Sequence, residues 1–144
     1  MNSTKKILVL CTGNSCRSQI AEAYLKYYSK MHQLNVEVFS AGTAPHGVNP
    51  RVLKILCEDG INISNHTSNH VNEYLNIGIS HVITVCDHAM ENCPVFPEKT
   101  IMEHHNFNDP SKTKGKPDFI KEAFRKTRDE IKFFCEEYIN KNFK

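Results

Sequence analysis

The chain has 144 residues, of which 40% are hydrophobic, and a formal net charge of +2 with its histidines neutral. This length suffices for one domain with one core, and the small charge gives no reason to expect nucleic acid or a membrane surface as a partner. The apolar run Ile7–Leu10 is shorter than the roughly 7–15 residues of a secretory signal, and no stretch approaches the roughly 18 of a membrane span. We therefore expect a cytoplasmic monomer with a single domain over residues 1–144.

The first part of the chain predicts two strands and two helices. Lys5–Cys11 is a short apolar strand that we expect to be buried on both faces. A helix follows from Arg17 to about 32, and the alternating residues 35–42 form a second strand. Pro50 is placed to start the next helix, and Gly60 is placed to end it.

The second part continues the alternation of strands and helices. Residues 66–78 include a short helix, and the β-branched residues 80–86 form a third strand. A fourth strand over residues 99–105 is followed by a polar loop and by an amphipathic helix from Asp118 to about 140. This order predicts an α/β fold, a three-layer sandwich around a four-stranded parallel sheet.

The segment CTGNSCRS, residues 11–18, joins the first strand to the first helix, and we call it the anion loop. Open α/β sheets bind ligands beyond the carboxyl ends of their strands, where amides entering a helix converge on an oxyanion. Gly13 and Asn14 suit positive φ angles, and Arg17 offers a planar fork of donors to a tetrahedral anion. The residues expected around the anion are Thr12, Gly13, Asn14, Ser15, Cys16 and Ser18.

Cys11 is the candidate nucleophile of this loop. Helix amides and Arg17 favour the thiolate, and cysteines in such places have pKa values of roughly 3.5–7.5 against about 8.5 when free. A hydroxyl from Ser15 or Ser18 is placed to donate to the sulfur. The alternative is a phosphate-binding loop in which Cys11 is incidental, although no Gly-Lys-Ser/Thr of a Walker loop follows.

The six cysteines differ in their surroundings, and in a reducing cytosol they point to redox or metal chemistry rather than structural disulfides. Cys57 and Cys135 lie on apolar stripes and are predicted to be buried small hydrophobes. Cys16 is either a redox partner for Cys11 or, as we favour, a residue that points into the scaffold.

Cys86 and Cys93 form a pair in CDHAMENC, after the third strand. Either they are unreacting thiols, or they carry redox chemistry, or they bind zinc with His88, His104 or His105. Cys-x6-Cys is an unusual zinc spacing.

Asp109 is the candidate general acid. Attack on a phosphoryl-like centre expels an oxygen that needs a proton, and Asp109 lies in a polar loop with Pro110 beside it. The same dipeptide is also an ordinary turn.

These residues together resemble the low-molecular-weight protein tyrosine phosphatase superfamily, and within it the thioredoxin-coupled arsenate reductases. The resemblance covers most of the chain and is specific in CTGNSCRS, HGVNP, ISNHTS, CDHAMENC and around Asp109. It implies one catalytic domain that reduces arsenate to arsenite, with Cys11 as nucleophile, Arg17 as oxyanion clamp and Asp109 as acid. It also implies that Cys86 and Cys93 relay the disulfide to thioredoxin. The alternatives are a phosphatase acting on aryl phosphates and a non-enzymatic oxyanion sensor.

The resemblance requires no cofactor, but some similar proteins carry a potassium ion near the loop. Asn14, Glu22 and Ser40 match positions of that site. Asn69 stands where an aspartate is usual, and hard cations prefer charged oxygen ligands. Two interpretations of these residues therefore stand: a potassium site, or ordinary polar residues near the loop.

Overall fold

The computed structural model describes residues 4–144 and contains one parallel four-stranded sheet. The strands are β1 (Lys5–Cys11), β2 (Val36–Gly42), β3 (His81–Thr84) and β4 (Ile101–His104). Their order across the sheet is β2-β1-β3-β4, and every neighbouring pair is parallel. The predicted α/β class with four parallel strands is therefore confirmed, although β3 and β4 are shorter than predicted.

Within the described residues 4–144, four α-helices accompany the sheet: α1 (Arg17–Met31), α2 (Pro50–Glu58), α3 (Asp87–Glu91) and α4 (Pro117–Phe143). Both α1 and α2 pack against α4, whereas α3 contacts β1 and β3. The helix expected within residues 66–78 is only a 3-10 helix, Val71–Tyr74, and another 3-10 turn covers Pro110–Lys112. Among residues 4–144, no helix has the length and apolar character needed to cross a membrane.

β1 runs through the centre of the core. Its residues Ile7–Leu10 are completely buried, as expected for an inner strand with a neighbour on each side. Ile131 and Cys135 on the inner stripe of α4 are also fully buried, so the buried position predicted for Cys135 is confirmed. Gly60 has a φ of 76°, one residue after the end cap of α2, and stops that helix as predicted.

One prediction about a buried helix face is wrong. Cys57 is exposed, because the buried residues of α2 are Val52, Ile55 and Leu56, and position 57 lies off that stripe.

The strand order creates a switch point between β1 and β3. The chain leaves β1 for the outer strand β2 and then returns to β3 on the opposite side of β1. Ligands of open α/β sheets bind at such a crevice, beyond the carboxyl ends of the strands. Cys11 is the last residue of β1, and Cys86 follows β3 by two residues.

Candidate active site

Asn14 shapes the anion loop. Its φ is 46°, in the left-handed region that Asn tolerates, whereas Gly13 is not among the positive-φ residues, so that part of the prediction for Gly13 is wrong. Its Nδ2 donates to Ser18 Oγ at 2.7 Å and to Ser40 Oγ at 2.9 Å. Its Oδ1 accepts from the Asn69 backbone N–H at 2.9 Å. Asn14 is fully buried and ties α1 and β2 to the loop.

Gly42, at the end of β2, lets the anion loop lie against the sheet. A Cβ atom at this position would lie 2.4 Å from the Thr12 carbonyl oxygen and 3.0 Å from the Asn14 nitrogen. Both contacts are to backbone, which cannot swing away as a side chain would. Glycine is therefore required here for the close approach of two backbones.

The segment after β2 donates hydrogen bonds to the carbonyl groups of the anion loop. The N–H groups of Ala44, His46 and Asn49 donate to the carbonyls of Thr12, Gly13 and Ser15 at 2.9, 2.9 and 3.0 Å. These bonds engage the carbonyls of the loop with residues 44–49, so they are not free to face an anion. This arrangement is the one that an oxyanion requires.

Cys11 is buried beneath the loop. The N–H groups of Asn14 and Ser18 donate to its sulfur, and Ser18 Oγ lies 2.9 Å from the sulfur, so the predicted serine contact is made by Ser18. Burial raises the pKa of the Cys11 thiol, while these hydrogen bonds oppose the rise. The lowered pKa predicted from the loop is thus wrong for this arrangement, because desolvation of the sulfur outweighs its donors.

Arg17 and Asp109 face each other across the mouth of the loop. Arg17 Nη1 donates to the Phe107 carbonyl at 2.9 Å, and its Nη2 lies 3.6 Å from Asp109 Oδ2. Asp109 Oδ1 accepts from the Ser111 N–H at 3.0 Å and from the Ser111 hydroxyl at 2.6 Å. The polar loop after β4 therefore braces the guanidinium and brings the candidate acid to the anion loop.

Cys86 lies against the same loop. Its sulfur is 3.4 Å from Thr12 Oγ1 and accepts from the Ala89 N–H at the start of α3, also at 3.4 Å. It is close enough to Cys11 for a charge on Cys86 to raise the pKa of Cys11. All six cysteines are free thiols.

Cys93 follows the end of α3 and is half-buried against the core, which raises its pKa. Cys16 is buried, as favoured above, and burial raises its pKa to about 11. The Ser15 hydroxyl donates to the Cys16 sulfur at 3.7 Å.

Two contributors were missed from sequence. Gln19 Nε2 donates to the carbonyls of Asn14 and Thr67 at 3.0 and 2.9 Å, and its Oε1 lies 3.0 Å from His66 Nδ1. His88 was considered only as a zinc ligand, yet its Nδ1 lies 3.1 Å from Thr12 Oγ1. Its place two residues after Cys86 was the signal available for it.

The three residues matched to a potassium site do lie together. Ser40 Oγ donates to Glu22 Oε1 at 2.5 Å and accepts from Asn14 Nδ2. The Lys26 ammonium lies 2.5 Å from Glu22 Oε2 and balances the charge of that carboxylate. A potassium ion held by Asn14, Glu22 and Ser40 would have to compete with Lys26, and Asn69 adds no charge of its own.

The zinc site considered for Cys86 and Cys93 has no matching cluster of ligands among residues 4–144. In the part of the chain that the structure describes, residues 4–144, no group of three or more His, Cys, Asp or Glu side chains is placed to hold a metal ion. His104 instead bridges Thr84 Oγ1 at 2.7 Å and Asp87 Oδ1 at 2.8 Å.

The geometry agrees with comparisons to known proteins. A family model described as low molecular weight phosphotyrosine protein phosphatase matches residues 6–144. Arsenate reductase 2 of Staphylococcus epidermidis is 42% identical over 134 residues, which cover 93% of this chain and 95% of that protein.

Two solved structures extend the likeness to the fold. An arsenate reductase in the phosphate binding state is 30% identical with a TM-score of 0.73, and it covers 95% of this chain and 98% of its own. An arsenate reductase in the oxidized state is 28% identical with a TM-score of 0.80 at the same coverage of 95% and 98%. The chain therefore belongs to the low molecular weight phosphotyrosine protein phosphatase family, and relatives that are 42% identical to it are named arsenate reductases.

Proposed function

We propose that this protein reduces arsenate to arsenite, with Cys11 as nucleophile and with Cys86 and Cys93 as a disulfide relay that thioredoxin regenerates. The observation that carries the proposal is the Cys86 thiol, placed at 3.4 Å from Thr12 of the anion loop. A hydrolase of this family needs only the nucleophile, the arginine and an acid. A second thiol beside the loop supports the transfer of two electrons.

In the first step, the loop amides and Arg17 hold the arsenate while Cys11 attacks arsenic. The Cys11 thiol and monoanionic arsenate give a thiol–arsenate adduct and one water molecule, so atoms and charge balance. Because burial raises the pKa of Cys11, its proton leaves as the attack proceeds. Asp109, whose Oδ2 lies 3.6 Å from Arg17 Nη2, is the proposed acid: it gives a proton to the departing oxygen, and the proton from Cys11 replaces it.

In the second step, Cys86 attacks the Cys11 sulfur. The sulfur–sulfur bond forms as the sulfur–arsenic bond breaks, and the electron pair of the broken bond remains on arsenic. Arsenic(V) becomes arsenic(III) while two thiols become a disulfide. Cys93 then attacks Cys86, which frees Cys11 and leaves the disulfide between Cys86 and Cys93.

Movement of the segment between these cysteines belongs to the proposal. We call residues 86–93 the relay segment; Cys86 caps the start of α3, and Cys93 lies just beyond its end. Seven positions on an α-helix rise roughly 10 Å, whereas a disulfide needs Cα atoms within about 7 Å. Only Asp87–Glu91 of this segment is helical. We propose that this short helix unwinds when the disulfide forms, which also removes the burial that raises the pKa of Cys93 and presents the disulfide to thioredoxin. Reduced and oxidised structures with an unchanged relay segment would contradict this step.

A phosphatase acting on aryl phosphates is the second candidate. Its support is the family model, which describes phosphotyrosine protein phosphatases, together with an anion loop, Arg17 and Asp109 that would suffice for hydrolysis. The activities share the first step and differ only in what removes the group from Cys11. Cys86 is thus the residue that separates them.

The deciding experiment compares wild type, Cys86→Ser and, as a matched control, the exposed Cys57→Ser. NADPH oxidation is followed with arsenate, thioredoxin and thioredoxin reductase, and hydrolysis of p-nitrophenyl phosphate is followed separately. A reductase loses arsenate turnover in Cys86→Ser only, and any phosphatase activity survives. The phosphatase would be favoured if wild type, Cys86→Ser and Cys57→Ser hydrolysed the aryl phosphate equally and wild type showed no arsenate-dependent NADPH oxidation. Anion binding without turnover would favour a sensor.

A further inference from the structure

His88 connects the relay segment to the anion loop. Its Nδ1 lies 3.1 Å from Thr12 Oγ1, and the same hydroxyl oxygen lies 3.4 Å from Cys86 Sγ. The Thr12 hydroxyl therefore joins the thiol and the imidazole in one hydrogen-bonded chain of three side chains.

The burial of Cys86 explains why its thiol needs a hydrogen-bonded path for its proton. Cys86 is only 3% exposed, whereas His88 is exposed on α3. A buried thiol that is to become a nucleophile must pass its proton to some group, and the thiolate rather than the thiol attacks. His88 is a base that water reaches, separated from the sulfur by one hydroxyl.

We propose that His88 accepts, through the Thr12 hydroxyl, the proton that Cys86 loses when it attacks Cys11. The inference rests on the proposed reductase function, which is what requires Cys86 to ionise. His88 touches neither reacting sulfur, so it is a positioning residue that acts through Thr12.

The proton transfer conserves every proton. Before it, the Cys86 thiol donates to Thr12 Oγ1, and the Thr12 hydroxyl donates to unprotonated His88 Nδ1. After it, protonated Nδ1 donates to Thr12 Oγ1, and the Thr12 hydroxyl donates to the Cys86 thiolate. The thiolate attacks Cys11, the sulfur–arsenic bond breaks with its electron pair left on arsenic, and His88 returns its proton to water. The arsenite ion takes a proton from the solvent.

The groups around His88 are compatible with this transfer. Asp87 and Glu91 are the carboxylates of α3, on the same helix as His88. Asp87 is bound by His104 Nε2 of β4 at 2.8 Å. α3 packs against β1 and β3. The titratable groups at the ends of these strands are Cys11, the last residue of β1, and Cys86, two residues after β3. The Ala89 N–H, which donates to Cys86 Sγ at 3.4 Å, supports the thiolate as well.

The test measures ionisation of Cys86 without arsenate. Reduced protein is alkylated with iodoacetamide over a range of pH, and the Cys86 peptide is quantified by mass spectrometry in wild type, His88→Ala and His88→Asn. Asn keeps a hydrogen-bonding group near Thr12 but does not bind a proton in this range. His32→Ala, at the far end of α1, is the control. Thermal melts establish that each variant is folded.

Both His88 variants are expected to raise the pH midpoint of Cys86 alkylation by about one unit, roughly a tenfold loss of rate near neutral pH. Single-turnover arsenite release should fall by a similar factor and recover at alkaline pH. An unchanged midpoint in His88→Ala, or full recovery in His88→Asn, would overturn the proposal. A shifted midpoint in a protein that forms no arsenite would leave this proton path standing and refute the reductase function instead.

Discussion

The anion loop and the relay segment both lie at the carboxyl end of the sheet, but the chain anchors them in different ways. In the loop, Cys11, Asn14 and Ser18 are buried, and β2, α1 and residues 44–49 all bond to it. In the five-residue α3 of the relay segment, only Ala89 is buried, and Met90 is 46% exposed.

The difference corresponds to two kinds of chemistry. A loop that stabilises a charged transition state must be organised before the reaction, because donors that reorient during it lose much of their benefit. A dithiol that passes a disulfide outward must change shape, and elements with few buried contacts open most readily. We infer that fixed and movable parts are both requirements of the proposed reaction, and four predictions test this contrast.

The largest effect is expected from Asn14→Ala compared with Asn92→Ala. The first removes two buried hydrogen bonds, to Ser18 and Ser40, and a partly buried one from the Asn69 N–H, and should cost about 2–4 kcal/mol of unfolding free energy. The second removes one exposed bond to the His88 carbonyl and should cost less than about 0.5 kcal/mol. Urea unfolding measures both; equal losses would remove the contrast between the two regions.

Gly42→Ala should damage the anion loop more selectively. The new Cβ would press on the Thr12 carbonyl, so we expect a stability loss of about 1–3 kcal/mol and phosphate binding weakened about tenfold or more. Gly60→Ala is the control, since its φ of 76° disfavours alanine but no atom lies within 4 Å of the added carbon. Calorimetric titration with phosphate checks both variants, and equal binding by the two would show that the close approach is unimportant.

Ser18→Ala should alter the pH dependence of Cys11. Burial raises the pKa of Cys11 in wild type, so alkylation of Cys11 should keep rising above neutral pH instead of levelling off near it. Loss of the Ser18 hydroxyl, which lowers that pKa, should move the midpoint up by about one further unit. Ser64→Ala, at an exposed turn, serves as the control. A midpoint that falls in Ser18→Ala would contradict the assigned contact.

The smallest effect concerns potassium. With Lys26 already on Glu22, replacing choline by potassium at constant ionic strength should change the wild-type melting temperature by less than about 1 °C. Lys26→Gln frees the carboxylate, and potassium should then stabilise by about 2–4 °C. Lys30→Gln, in the last turn of α1, is the matched control. A larger potassium effect in wild type than in Lys26→Gln would show that Lys26 does not compete for this site.

Local pattern carried much of the sequence prediction. The apolar run Ile7–Leu10, the turn formers after Cys11 and the stripe of α1 predicted strand, loop and helix, because each depends on neighbouring residues. Gly60 stopped α2 for the same local reason. The anion loop does join β1 to α1, and the roles of its residues remain predictions.

Local sequence patterns could not predict contacts between segments that are distant along the chain. The raised pKa of Cys11 results from burial by the whole loop, and no residue type in CTGNSCRS encodes that burial alone. The bond from His88 to Thr12 joins residues 76 positions apart and depends on the strand order. The exposure of Cys57, by contrast, follows from the spacing of Val52, Ile55 and Leu56, which sequence alone would have supported.

The most direct test of the account is a single turnover of reduced protein with excess arsenate and no thioredoxin, followed by arsenite assay and disulfide mapping. We predict one arsenite per chain, with a Cys86–Cys93 disulfide in wild type and a Cys11–Cys86 disulfide in Cys93→Ser. Phosphate in place of arsenate should give no disulfide in either protein. Arsenite formed without these disulfides, or no arsenite at all, would contradict the proposal that the relay segment removes the oxidising equivalents from Cys11.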